Sequence, residues 1–451
     1  MILGTLGLLL LGALGLLAKE GRTSPGGPIS AADTAWLLTA TALVLLMTPG
    51  LSFFYGGMVR AKNVVSTLMQ SFLAMAVISL LWVVLGFSLA FGDSLGGVVG
   101  DPRTFFLFSG VGGDTDAALA PTIPLLLFAL FQLKFAIITP ALITGAFAER
   151  VRFGAYLLFM VLFSLLIYAP LAHWTWHPDG FLRAWGVLDF AGGTVVHMSA
   201  GFAALAGALV LGRRKAHVDN HPHTPANVPF VLLGTGLLWF GWFGFNAGSA
   251  LSASATATLA FATTNTASAA AMLTWMTLDW ARGRKPSAVG ACVGAVVGLV
   301  AITPAAGFVS VGHSLVIGVL ASAASSAAVH LRSKSVLDDT LDVFPCHGVG
   351  GAVGMLLTAV FAKDVGLLFG ETHTFLLHLA AFGIVGAFSF GGAWALYKVV
   401  NLVMPLRVTQ EQEELGLDLS QHGESVGEMA ALEPSAPHAT PVGDLELARA
   451  A

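Results

Sequence analysis

The sequence predicts an all-α polytopic membrane protein of eleven transmembrane helices, arranged as two inverted five-helix halves and a final helix. Three observations carry this expectation. The chain is 56% hydrophobic and only 10% charged, whereas soluble domains carry about 25% charged residues, so the excess apolar surface has to face lipid. Apolar runs of bilayer length recur between polar breaks. Basic residues collect in alternate connections.

A membrane helix needs about 20 mostly apolar residues. The runs fall at 35–58, 64–92, 121–147, 154–176, 187–211, 227–250, 256–280, 287–304, 313–331, 342–362 and 375–402. The 53 glycines suit helices that approach one another closely. An earlier apolar run, Ile2 to Ala18, is followed by a polar stretch from Lys19 to Ser30. Residues 1–25 are therefore expected to be a cleaved signal peptide, with a retained short helix as the alternative. Residues 30–406 form the expected transmembrane domain, and 407–451 a cytoplasmic tail.

Charge in the connections sets the orientation. One alternate set holds Arg60, Lys62, Arg150, Arg152, Arg213, Arg214, Lys215, Arg282, Arg284, Lys285, Arg332 and Lys334, and Arg407 follows the last span. The opposite loops hold only Arg103, Arg183 and Lys363, with Lys19 and Arg22 in the N-terminal segment. The mature N-terminus is expected outside and the C-terminus in the cytoplasm, in an inner, or cell, membrane. The net charge of -4 gives no sign of a nucleic-acid partner. Cys292 and Cys346 both lie in apolar stretches, so no disulfide framework or thiolate metal site follows.

Most of the thirteen histidines lie in loops or near span ends, but His197 and His347 fall within spans. Ionisable groups at membrane depth are expensive and commonly mark a pathway. A plain structural hydrogen bond to a neighbouring carbonyl is the alternative for each. In Asp189-Phe-Ala-Gly-Gly-Thr-Val-Val-His197 an acid precedes small residues and then the histidine; Asp342-Val-Phe-Pro-Cys-His347 repeats the scheme loosely, with a spacing of five against eight. The fifth and tenth spans occupy equivalent places in two inverted halves, a recurrent transporter plan. Two histidines alone make no metal site at ligand spacing, and no cofactor is expected. An intramembrane enzyme would need a nucleophile or metal set beside them, and Ser199 and Cys346 read more simply as apolar packing.

The run Asp189 to Gly201 closely resembles a motif of the ammonium transporter (Amt/Mep/Rh) family, of bacterial Amt type. So do Phe131-Gln-Leu-Lys-Phe135, Gly145-Ala-Phe-Ala-Glu-Arg150, Gly241-Trp-Phe-Gly-Phe245-Asn-Ala-Gly-Ser249, the glycine-spaced run from Gly290, and Asp342 to Gly348, in the family's order. The resemblance implies an outer ammonium recruitment site at Phe135, Trp176 and Ser249. It implies a stacked gate of Phe135 and Phe245, paired pore histidines His197 and His347, and a supporting, structural acid at Asp189. It further implies conduction of ammonia, with or without a proton, by a homotrimer embedded in lipid. The tail Val408 to Glu424 resembles the family's cytoplasmic segment, where a PII-type signalling protein docks in bacterial relatives. A Rhesus-type ammonia or carbon dioxide gas channel and an ammonium sensor are the competing functions.

Two features depart from the pattern. Trp176 aligns only with an extra residue in Trp176-His-Pro-Asp-Gly-Phe. Lys134 neighbours the gate residue Phe135, where a cation facing the pore would repel ammonium; it is expected to turn toward a subunit interface or snorkel outward.

Overall fold

The computed structural model describes residues 24–221 and 223–426. Its helices are α1 (Ala31–Met58), α2 (Ala61–Phe91), α3 (Leu125–Ala146), α4 (Phe153–Trp185), α5 (Gly193–Leu211) and α6 (Val228–Gly248). There follow α7 (Ala255–Ala281), α8 (Ala288–Ile302), α9 (Val311–Ser333), α10 (Phe344–Phe361) and α11 (Thr372–Val403). Among the described residues nine of these, all but α7 and α8, are long and apolar enough to cross a membrane. Helix α7 has the length, 27 residues, but Thr256, Thr258, Thr263, Thr264, Asn265 and Thr266 dilute its apolar character. Helix α8 has only 15 residues, and Pro304, which has no N–H to donate, follows its end closely. The expected signal peptide lies outside the described residues apart from Ser24 and Pro25, as does the tail beyond Val426.

Polar residues at the breaks start the helices by accepting from orphan N–H groups. Ser30 caps α1, Asn227 caps α6, and Ser254, Ser287 and Ser310 cap α7, α8 and α9. Helix α1 packs along α6, α7 lies against α8 and α9, and α11 runs beside α5. Leu80, Leu232, Phe240, Leu273 and Leu402 are exposed on the outer faces, as lipid-facing residues of a membrane bundle should be. A two-stranded hairpin, β1 (Ser94–Leu95) against β2 (Val99–Gly100), closes part of the α2–α3 connection.

Helices α5 and α10 meet at their backbones. A Cβ on Gly201 would stand 2.1 Å from the Gly348 nitrogen, so this crossing requires that Gly201 lack a side chain. Gly201→Ala must push the two helices apart. The expected cost is about 1–3 kcal/mol, read as a lower unfolding temperature in detergent.

The basic connections converge at the end of the bundle where the tail docks. Glu149 is held between Arg60 at 2.7 Å and Arg214 at 2.8 Å, and Arg214 also grips Asp338 at 2.8 Å. Burial alone would raise the Glu149 carboxyl, but the guanidinium of Arg214 and the bond to Arg60 bring it from 4.5 down to about 2. The depressed value means its stabilisation is complete above pH 4.5 and fades as pH falls through about 2. Glu149→Gln leaves the buried Arg214 and the partly exposed Arg60 short of a charged partner and should cost about 3 kcal/mol, measured as a fall in unfolding temperature at neutral pH.

The tail folds beneath these loops as far as it is described. Thr409 and Gln412 form a capping box that starts α12 (Gln410–Leu415). Glu413 accepts from the Lys215 N–H at 2.6 Å and pairs with Arg407 at 2.7 Å. Asp418 accepts from the Ser66 N–H at 2.8 Å, and Asn63 holds the Leu417 N–H at 2.8 Å.

Candidate functional site

At the end opposite the tail, a cavity of about 620 Å³ opens among Phe135, Trp176, Ser249, Asp189, Asp33 and Arg183. Its floor is aromatic. The Phe135 and Phe245 rings stack with centroids 4.1 Å apart and an interplanar angle of 29°. Trp176 meets Phe135 edge-on at 5.7 Å and 81°, and its Nε1 donates to the Asp189 carbonyl at 3.3 Å. The Ser249 hydroxyl donates to the Phe245 carbonyl at 2.8 Å, which leaves its lone pairs free to accept. Aromatic faces and a hydroxyl acceptor, in a cavity bordered by carboxylates, suit a small cation that can also donate hydrogen bonds.

Asp189 does not reach into this cavity as a free ligand. Its Oδ1 accepts from the Gly192 and Gly193 N–H groups, both at 2.7 Å, and its Oδ2 from the Thr194 N–H at 2.7 Å; the Thr194 hydroxyl donates to it as well. The carboxylate therefore caps the start of α5. Gly192, at φ +115°, makes the turn that brings those N–H groups round. The expected fifth span from 187 consequently begins later, at Gly193, because the chain around Asp189 serves as the cap. His197 therefore lies close to the helix start, on a π-helical stretch Gly193–Met198.

Helix α10 is built the same way. The Asp339 carboxylate accepts from the Val343 N–H at 3.0 Å and the Phe344 N–H at 2.7 Å, and a π-helical stretch Phe344–Val349 follows with His347 on it. Each histidine is eight residues beyond its capping acid, 197 − 189 and 347 − 339. The sequence reading paired His347 with Asp342 instead. Asp342, at φ +58°, is turned to Arg332, whose Nε donates to it at 2.8 Å. π-helical turns of this kind occur often at functional positions.

The two histidines are brought together by these turns. Their Nδ1 atoms are 3.3 Å apart, and the side chains are buried, at 1% and 3% exposure. Ring centroids are 5.4 Å apart. A hydrogen bond between two Nδ1 atoms requires one donor and one acceptor. The donor ring then has a bare Nε2 and the acceptor ring carries its proton on Nε2. The pair thus offers one acceptor and one donor at its outer edges, and moving the central proton together with its partners exchanges those roles. His197 Nε2 is buried without a hydrogen-bond partner among the described residues. The His197 ring lies 6.1 Å from Phe245, just behind the stacked phenylalanines. Beyond the pair, His347, Cys346, Tyr55 and Val343 line a second, very small cavity.

The structure thus brings Phe135, Trp176, Ser249, Phe245, Asp189, His197 and His347 into one line of contacts. Lys134 is half-buried and does not border the cavity. Two participants were missed in the sequence reading. Trp242 stacks on His197 at 5.3 Å and 20°, and its Nε1 donates to Thr303 at 2.9 Å. Its position three residues before Phe245 puts both rings on one helix face, a signal available from spacing. Asp339 is the other, and its spacing of eight to His347 was equally available.

A family model described as Ammonium Transporter Family matches residues 35–426. The chain is 46% identical over 400 residues to an ammonium transporter of Bacillus subtilis, covering 87% of this chain and 97% of that one. Its fold is similar to the crystal structure of Saccharomyces cerevisiae Mep2, with a TM-score of 0.82 and 36% identity over 90% of this chain and 93% of that chain. A sensor Amt protein of known structure is also similar, with a TM-score of 0.79 and 31% identity over 87% of this chain and 98% of the other.

Proposed function

This chain belongs to the ammonium transporter family, and from that premise we propose that it recruits ammonium at Phe135, Trp176 and Ser249 and conducts it as ammonia through the His197–His347 pore. The observation that carries the proposal is the Nδ1–Nδ1 contact of 3.3 Å directly behind the stacked phenylalanines. Driving a bare cation through apolar helices is costly. Ammonium can avoid that cost by leaving a proton behind, and potassium cannot. The vestibule binds the cation through π faces and the Ser249 oxygen. Phe135 and Phe245 exclude its hydration shell. The histidines accept and donate hydrogen bonds to the neutral molecule and offer a relay for the proton. Asp189 and Asp339 act as positioning residues that fix the turns bearing the histidines.

The full reading has eleven crossings, with α7 and α8 spanning alongside the nine more apolar helices, as two inverted five-helix halves and a final helix. The matched acid–histidine spacing in α5 and α10 supports the inverted halves. The proposed state is a homotrimer in the cell membrane, N-terminus outside and C-terminus cytoplasmic. The concentration of basic loops at the tail-bearing end supports that orientation. The docked tail and those loops offer a PII-type signalling protein its surface.

Likeness to a sensor Amt protein favours a second reading, in which conduction is secondary to sensing. A gas channel without cation recruitment is countered by the Phe135–Trp176–Ser249 arrangement. The test is concentration-dependent ammonium uptake in liposomes. A cation–π contact is worth about 2 kcal/mol when desolvated, so Trp176→Leu should raise the half-saturating ammonium concentration about 30-fold. Linear, non-saturable uptake unchanged by Trp176→Leu would favour the gas channel, and no uptake at all the sensor.

A further inference from the structure

Lys134 is the group the proposed mechanism leaves unused. It sits on α3, half-buried, one residue from the gate. Among the described residues it has no hydrogen-bond or ion-pair partner. Leu126 is exposed and Leu130 partly so on the same i, i+4 stripe, so this face of α3 looks out of the subunit. An ammonium group facing hydrocarbon at this depth needs acceptors, and the subunit gives it none.

Helix α7 carries the converse. It is a long helix that falls short of the apolar character of the nine membrane-length ones, and Thr258, Phe261 and Asn265 are exposed along one face with Leu273 below them. The Asn265 carboxamide points out of the subunit at membrane depth, where a polar side chain serves as a helix–helix contact.

The two residues lie at one level. The Asp33 carboxylate accepts from the Thr122 hydroxyl at 2.8 Å and from the Ala253 N–H at 2.8 Å. That tie fixes the starts of α3 and α7 at the same height. Lys134 is twelve residues past Thr122, and Asn265 is twelve past Ala253 (134 − 122 and 265 − 253). Counting only helical residues, at about 1.5 Å per residue both lie about 14–15 Å below the helix starts. Below that tie their outward faces are separate patches, since α3 packs mainly against α1, α2 and α5 while α7 packs mainly against α6, α8 and α9. Two different patches at one depth are the requirement for a head-to-tail contact that closes into a ring about the membrane normal.

We propose that the Lys134 ammonium of each subunit is received by the α7 face around Asn265 of a neighbouring copy. The inference rests on the homotrimer reading and gives it an interface. The Asn265 carbonyl and the neighbouring threonine oxygens supply acceptors, and the contact holds the lysine charge away from the vestibule beside Phe135.

The test joins Lys134→Cys and Asn265→Cys in one chain and treats membranes with a short bifunctional methanethiosulfonate reagent. Bands of dimer and trimer in the double variant, absent from each single variant, are expected. A native protein that runs as a trimer by native mass spectrometry, with no linked species from the double variant, would overturn the contact and leave the trimer standing. A native protein that runs as a monomer would overturn both. Asn265→Asp gives a second readout that needs no cysteine. It should raise the dissociation temperature of the trimer, and adding Lys134→Met should reverse that gain; an equal effect of Asn265→Asp with and without Lys134 would contradict the pairing.

Discussion

Asp189→Ala should abolish ammonium transport while leaving the protein in the membrane. The substitution strips the acceptor from the N–H groups of Gly192, Gly193 and Thr194 at once. An orphaned buried donor costs about 1–3 kcal/mol, so three of them undo the turn that carries His197. A rise of only about 3 kcal/mol in the conduction barrier is already a factor of about 100. Asp189→Asn retains one acceptor oxygen and should keep a measurable fraction of the rate. The measurement is uptake into proteoliposomes at matched protein content. Near-native uptake by Asp189→Ala would remove the carboxylate from the account. Asp339→Ala should give a parallel but smaller loss, because Asp339 caps two N–H groups where Asp189 caps three.

His197→Ala should change what passes more than how much passes. It removes one half of the Nδ1 pair and opens space beside Phe245 and Trp242. Water filling that space restores solvation to a cation and takes away the requirement to deprotonate. Potassium then gains a path it lacked. Discrimination between ammonium and potassium should fall at least about tenfold, a change of about 1.4 kcal/mol in relative barriers. Current–voltage reversal potentials under mixed-ion gradients measure it. Retained discrimination would mean that selectivity resides in the phenylalanine gate.

Much of this arrangement was legible in the residues. Apolar runs located the helices, because length and hydropathy are local properties, and the family motifs pointed to Phe135, Trp176, Ser249, Phe245, His197 and His347. Harder to read was anything set by backbone geometry. The start of α5 is six residues later than the expected 187 because the apolar Val187, Leu188 and Phe190 extend the run past Asp189, which is in fact the cap. The acid paired with His347 was misread because Asp338, Asp339 and Asp342 crowd one segment, and only the fold shows that Asp338 faces Arg214, Asp342 faces Arg332 and Asp339 faces the helix start. Trp242 was hidden among ten tryptophans, as a ring on an apolar face is usually packing.

The most direct test of the central claim is an ammonium-triggered current in proteoliposomes on a solid-supported membrane, recorded with ammonia flux for the native protein and His197→Ala. Deprotonation at a twin-histidine pore predicts saturable ammonium flux in the native protein with no response to potassium, and a potassium response that emerges in His197→Ala. Native ammonium and potassium responses of similar size, both unaltered by the substitution, would contradict it.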